Sequence, residues 1–252
     1  MTEQQALLNY CLQLGDDALV QSYRLSEWCS NAPILEEDLA LTNFALDMTG
    51  RAQALLAYAA TIEGNNRTED DLAYRRPERQ YLNHLIMELP NTDFAFTIAR
   101  MLFTAAYEYL LYAELTASSN EMIAAIAAKT VKEVKYHLAH ARDWALRLGD
   151  GTEESHEKMQ LAVNRLWAFT GELFEKGEGV DSLLNSKIAV DVAAFKERWM
   201  EMVSGVLREA TIAIPTETFM QTGGLKGIHT EYLGHMLSEM QYLQRAYPDA
   251  TW

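Results

Sequence analysis

Apolar residues near the start of the chain recur every three or four positions. Leu7, Leu8, Cys11, Leu12, Leu19 and Leu25 sit at helical spacing and predict a helix from about Glu3 to Cys29, with Gly15 as the place for a kink. Ser30-Asn31-Ala32-Pro33 reads as a stop and a restart, because proline suits the first position of a helix. A second helix is expected from Ile34 to about Glu63, ending at Gly64-Asn65-Asn66. Two long helices on a short turn form an antiparallel hairpin.

Residues 64–92 break the pattern. They are polar, contain Pro77 and Pro90, hold the cluster Arg75-Arg76-Pro77-Glu78-Arg79, and leave room for one short helix from Glu78 to Leu89. A third long helix is expected from near Asp93 to Thr116. Asn120 caps a fourth, which reaches Leu148 and stops at Gly149-Asp150-Gly151. Three more follow at about 153–175, 191–213 and 230–246, the last two separated by the Gly-rich loop Thr222-Gly223-Gly224-Leu225-Lys226-Gly227. No segment alternates with the period of a strand. The pattern predicts an all-α protein with a single domain over 1–252. Two hairpins, about 3–63 and 93–149, form a four-helix bundle, and about three additional C-terminal helices occupy about 153–246.

Composition narrows the function. Lys+Arg is 21 and Asp+Glu is 36, for a net charge of −15. That argues against binding nucleic acid, which needs clustered cations, and against an anionic membrane surface. No apolar run approaches the roughly 20 residues that span a bilayer. Met1 to Gln13 has no basic segment followed by an apolar block, so no secretory leader is read. Cys11 and Cys29, if on one helix, stand about 27 Å apart at the helical rise, too far for a disulfide. Free thiols and a cytoplasmic location are the expectation.

Bundles of this kind often hold two metal ions on one Glu from each of two helices and a Glu-x-x-His from each of the other two. Only one Glu-x-x-His is present, Glu153-Glu154-Ser155-His156, and it lies in a first helical turn, where the helix dipole favours acidic residues anyway. The core helices hold fragments. Asp47-Met48-Thr49-Gly50 has glycine where a ligand pair needs histidine, and Val134-Lys135-Tyr136-His137 has valine where it needs glutamate. Glu27, Asp47, Glu108 and His137 are therefore the positions of a degenerate site. The plainer reading of His137 is a satisfied core histidine, paired with Glu133 one turn earlier. One histidine and scattered carboxylates fall short of the ligand count, so no metal is expected in this chain.

Several stretches resemble the C subunits of phenylacetyl-CoA epoxidase complexes. They are Leu14-Gly15-Asp16-Asp17, Arg24-Leu25-Ser26-Glu27-Trp28-Cys29, Asp38-Leu39-Ala40-Leu41-Thr42-Asn43, Lys132-Glu133-Val134-Lys135-Tyr136-His137-Leu138, and Thr222 through Gly234 with the terminal Trp252. The resemblance spans essentially the whole chain. It implies a ferritin-like fold and a place in a multicomponent oxygenase that epoxidises the ring of phenylacetyl-CoA with molecular oxygen and electrons from NADPH. It also implies that the di-iron centre belongs to a sister A subunit. This chain would be a non-catalytic relative that has lost metal ligands, supports the A subunit and self-associates.

Within that resemblance, the cations of 75–79 suggest a contact with the CoA ester through Arg79, Gln80, Tyr81, Leu82 and Asn83. Arginine's donor fork suits phosphate and Tyr81 could stack on a base; the alternative is an exposed loop with Glu78 paired to a neighbouring arginine. The Gly223–Gly227 loop lacks the Walker A pattern and reads as a spacer that lets two helices pack closely. Two other functions stay open: a self-sufficient di-iron oxidase, and a helical interaction module without any oxygenase link.

Overall fold

The structure, a computed structural model, describes residues 1–216, 218–248 and 250; Trp252 lies outside them. The described residues are helical, with no strand among them. Helices α1 (Glu3–Ser26) and α2 (Leu35–Glu63) form the first hairpin, and α5 (Phe94–Leu115) and α6 (Glu121–Gly149) the second. Caps fall where the polar residues allow: the Asp93 side chain accepts from the Phe96 amide, and Asn120 accepts from Met122 and Ile123. Of the 22 residues of α5, 18 are buried, so this helix is the axis of the molecule. Helices α7 (Glu153–Leu166) and α9 (Lys196–Glu209) cover its far side, where Trp199 donates to the Phe103 carbonyl at 2.9 Å. The expected bundle and added helices are therefore present.

Gly15 does not kink α1. The helix is continuous, and a Cβ there would lie 2.9 Å from Leu56 Cδ2, so the glycine allows α1 and α2 to approach closely.

The segment between the hairpins departs most from expectation. A short helix, α3 (Glu69–Tyr74), stands on a capping box between Thr68 and Asp71. The proposed helix from Glu78 to Leu89 is only a 3₁₀ turn, Glu78–Gln80, and a single turn, α4 (Leu85–Glu88). The cause lies elsewhere in the chain. Buried carboxylates take the backbone amides that a helix would use: Leu82 N–H donates to Asp16 at 2.9 Å, His84 N–H to Asp17 at 2.8 Å, and Leu85 N–H to Glu172 at 2.7 Å. Arg24 and Arg100 then hold the carbonyls of Glu88 and Leu89.

The C-terminal helices are also shorter than expected. Past Leu166 the chain passes into 3₁₀ turns, Trp167–Phe169 and Gly171–Phe174, which aim Glu172 inward. Its other oxygen accepts from Gly223 N–H at 2.7 Å and Gly224 N–H at 2.8 Å. The Gly-rich loop thus wraps a carboxylate of its own chain. Its glycines let it lie against the backbone of residues 79–85, since a Cβ on Gly224 would meet the Asn83 oxygen at 2.1 Å. It is a clasp on that segment, not a spacer between two helices. The stretch expected as 191–213 opens as a 3₁₀ turn, Val192–Phe195, before α9. After α8 (Val180–Asn185) and α9, the last helix breaks at Gln241 into α10 (Glu231–Met240) and α11 (Tyr242–Ala246). The Gln241 amide is spent on the Arg76 carbonyl (2.9 Å) and the Tyr81 hydroxyl (3.0 Å).

Candidate functional site

The inner stripe of α2 runs Leu41, Phe44, Met48, Arg51, Leu55, all buried, at spacings of three and four. Arginine therefore sits on an otherwise apolar seam, pointing at α5. There its Nη2 donates to Glu108 Oε1 at 2.9 Å, with 2% and 4% of the two side chains exposed. Gln21 of α1 donates to the same oxygen at 3.3 Å, and its own oxygen accepts from Thr104 at 2.8 Å. The guanidinium stands over the Tyr112 ring, 5.1 Å from its centroid. Burial works against the charged guanidinium, but the Glu108 carboxylate and Tyr112 outweigh it, and Arg51 is held firmly cationic. Burial pushes the Glu108 carboxyl above the usual carboxylate range, and Arg51 pulls it back.

His137 and Asp47 meet across the α2–α6 seam, Nε2 to Oδ2 at 3.0 Å. The expected partner Glu133 is turned to Lys129 instead, at 3.4 Å. Burial pushes the His137 pKa down to about 4, Asp47 opposing and Arg51 reinforcing the drop. The neutral ring then carries its hydrogen on Nε2, toward Asp47, and Nδ1 has no partner. His140 pairs with Glu37 at 2.8 Å, and the Phe44 ring separates the two histidines, its centroid 4.4 and 4.9 Å from theirs.

The four positions read as a degenerate site do not converge. Asp47 and His137 touch, Glu108 belongs to Arg51, and Glu27 is not in the core at all. Glu27 lies just past the end of α1, half exposed, on Arg24 (2.7 Å) and Asn91 (2.9 Å). Among the described residues no three His, Cys, Asp or Glu side chains converge in a way that could hold a metal ion. A di-iron centre does not fit this donor set, because Glu108 already has the buried Arg51 as its cation and Asp17, the other buried carboxylate near it, is held by His84. Val134 is fully buried and Gly50 is open to Lys129, so neither supplies a missing ligand. Glu153 is exposed, and His156 bonds the Gly149 carbonyl through Nδ1 at 2.7 Å; this pair starts α7 and nothing more.

The segment assigned to the CoA ester is also divided. Arg79 and Gln80 are exposed and Leu82 is half-buried. Tyr81 and Asn83 are fully buried, so the stacking role given to Tyr81 is not available in this structure. Tyr81 lies under the Arg76 guanidinium, 4.2 Å from its ring centroid, and Asn83 donates to Glu88 at 2.9 Å. Nor does Glu78 pair with the arginines beside it: Arg75 goes to Asp71 and Arg76 to the buried Asp16.

Sequence reasoning missed Arg51, which the α2 periodicity does place on the inner stripe. It also missed the carboxylates that fix residues 82–88, for which nothing local gives a signal. Two histidines report on that framework. Burial disfavours charge on His84 and His229, but Asp17 (2.8 Å) and Glu88 (2.9 Å) outweigh it and raise both pKa values above 6.5. A raised pKa contributes stability that is complete below the unfolded value of about 6.5 and is lost as pH rises through the folded value. His137, with its depressed pKa, costs stability as pH falls from about 6.5 toward 4. Urea midpoints between pH 5 and 9 should therefore peak near 6.5. Replacing His229 with glutamine should flatten the alkaline limb, and an unchanged limb would contradict the assignment.

The model of the family described as "Phenylacetic acid catabolic protein" matches residues 1–252. The chain is 49% identical over 246 residues to the C subunit of the 1,2-phenylacetyl-CoA epoxidase of Escherichia coli (strain K12), covering 98% of this chain and 99% of that one.

Proposed function

The chain belongs to the phenylacetic acid catabolic protein family, ferritin-like in fold, and on that premise we propose that it is a non-catalytic structural subunit of a phenylacetyl-CoA epoxidase. The observation that carries the reading is the Arg51–Glu108 pair. At the centre of the bundle a fixed guanidinium supplies the positive charge that a carboxylate in this position would otherwise take from a metal, and it carries no open coordination position for oxygen. What remains is a rigid scaffold whose buried ion pairs fix its shape. Iron, oxygen chemistry and the ring of the substrate belong on this reading to a catalytic A subunit. The chain's part is to hold that subunit in the complex, in the cytoplasm. Among the described residues no helix is long and apolar enough to cross a membrane. Any contact with the CoA ester falls to Arg79 and Gln80, the residues of the 79–83 segment that face outward.

Reconstitution tests the proposal. Turnover of phenylacetyl-CoA should require this chain together with the A subunit. It should survive Asp47→Ala and His137→Ala in this chain with kcat within about twofold. A loss of a hundredfold or more in kcat from either variant, with the complex intact, would assign chemistry to these residues and overturn the reading.

A further inference from the structure

Helix α2 carries a second stripe that the fold does not use. Leu35, Leu39, Thr42, Leu46, Thr49 and Gln53 follow one another at spacings of four and three, on the side of α2 away from the core. Leu35, Leu39 and Leu46 are 70%, 57% and 64% exposed, while the inner stripe of the same helix is already satisfied. The stripe covers about 27 Å at the helical rise. It runs into a groove between α1 and α2. A first section of about 400 Å³ is lined by Leu19, Tyr23, Thr42, Leu46 and Thr49, with Tyr74 and Met240 above them. A second section of about 230 Å³ continues past Leu19, Thr49 and Tyr74 to Gln53. Three leucines at coiled-coil spacing beside an apolar trough are the pattern of a seat for a helix.

The charges around the seat select what enters it. Glu36 and Asp38 stand in the first turn of α2 at one end, and Glu69 and Asp70 at the other. No lysine or arginine lines either section among the described residues. A second copy of the chain, at −15, would set acid against acid. We propose that this face receives an amphipathic helix with basic flanks from the catalytic A subunit, its apolar side chains set between Leu39 and Leu46 and its cations over the acidic ends. The proposal rests on the reading of the chain as a subunit of a complex.

Cys29 provides the probe. It is exposed and lines the groove, whereas the other cysteine, Cys11, is buried. The chain is coexpressed and purified with the epoxidase A subunit, then labelled with a fluorescent maleimide. In the complex Cys29 should label at least tenfold more slowly than in the free chain. Leu39→Glu/Leu46→Glu, both surface positions, should raise the dissociation constant of the complex at least tenfold while leaving the melting temperature of the free chain unchanged. A complex in which Cys29 labels at the free rate and the double variant assembles normally would overturn this docking face and leave the subunit reading standing. Failure of the wild-type chain to associate with the A subunit would overturn the subunit reading and the inference with it. A homodimer broken by the double variant would show that the occupant is a second copy, against the proposal.

Discussion

Replacing Arg76 with alanine should cost about 3–5 kcal/mol, the loss typical of removing one partner from a buried ion pair. At about 2–4 °C per kcal/mol for a chain of this size, the melting temperature should fall by roughly 6–20 °C. Asp16 is fully buried, and its two oxygens receive the Arg76 guanidinium and the Leu82 amide. The same guanidinium reaches the Leu72 and Gln80 carbonyls and covers the Tyr81 ring. Without it the Asp16 carboxyl, which burial already pushes upward against Arg76, would sit uncompensated beside a cavity. Lysine should not rescue, because a single ammonium cannot serve two carbonyls and a carboxylate in one plane. Asp16→Asn in the alanine background should recover part of the loss. Equilibrium urea unfolding checks this, and a cost below about 1 kcal/mol, the scale of an exposed pair, would show that the pair does not hold the 76–85 segment.

The second large effect is expected at the centre of the bundle. Arg51→Met should cost a similar 3–5 kcal/mol or so, since it leaves Glu108 buried with only Gln21 as donor. Adding Glu108→Gln should return most of that loss, because two neutral side chains of matching size replace the pair. The double-mutant cycle therefore separates a compensated ion pair from a merely well-packed arginine. Strictly additive losses would mean that the two residues do not work as a unit.

The long helices were legible because their signal is local. The apolar spacing of α1, α2, α5 and α6, together with Asp93 and Asn120 as caps, places their ends within a few residues. The segment from Glu78 to Leu89 was not, because its conformation is set by Asp16 and Asp17, 66 and 67 residues before the amides they receive, and by Glu172, 87 residues after. The same non-local carboxylates explain why Tyr81 and Asn83 turn inward while Arg79 stays out. At the candidate site the absence of paired Glu-x-x-His motifs was readable directly. Which fragment would meet which was not: the side chain opposite His137 is Asp47, 90 residues away, and not Glu133 on its own helix. Glu27 was misplaced for a simpler reason. Extending α1 to Cys29 carried the inward face past Ser26, where the helix in fact ends.

The central claim is that a fixed arginine stands at the centre of this bundle, in the place where di-iron bundles of this architecture hold their metal. Iron analysis of the purified chain, expressed with added iron, alone and with the A subunit, tests it most directly. The expected result is iron well below one atom per chain in the isolated protein and stoichiometric iron once the A subunit is present. Close to two irons per chain in the isolated protein would contradict the account and make this chain a di-iron protein in its own right.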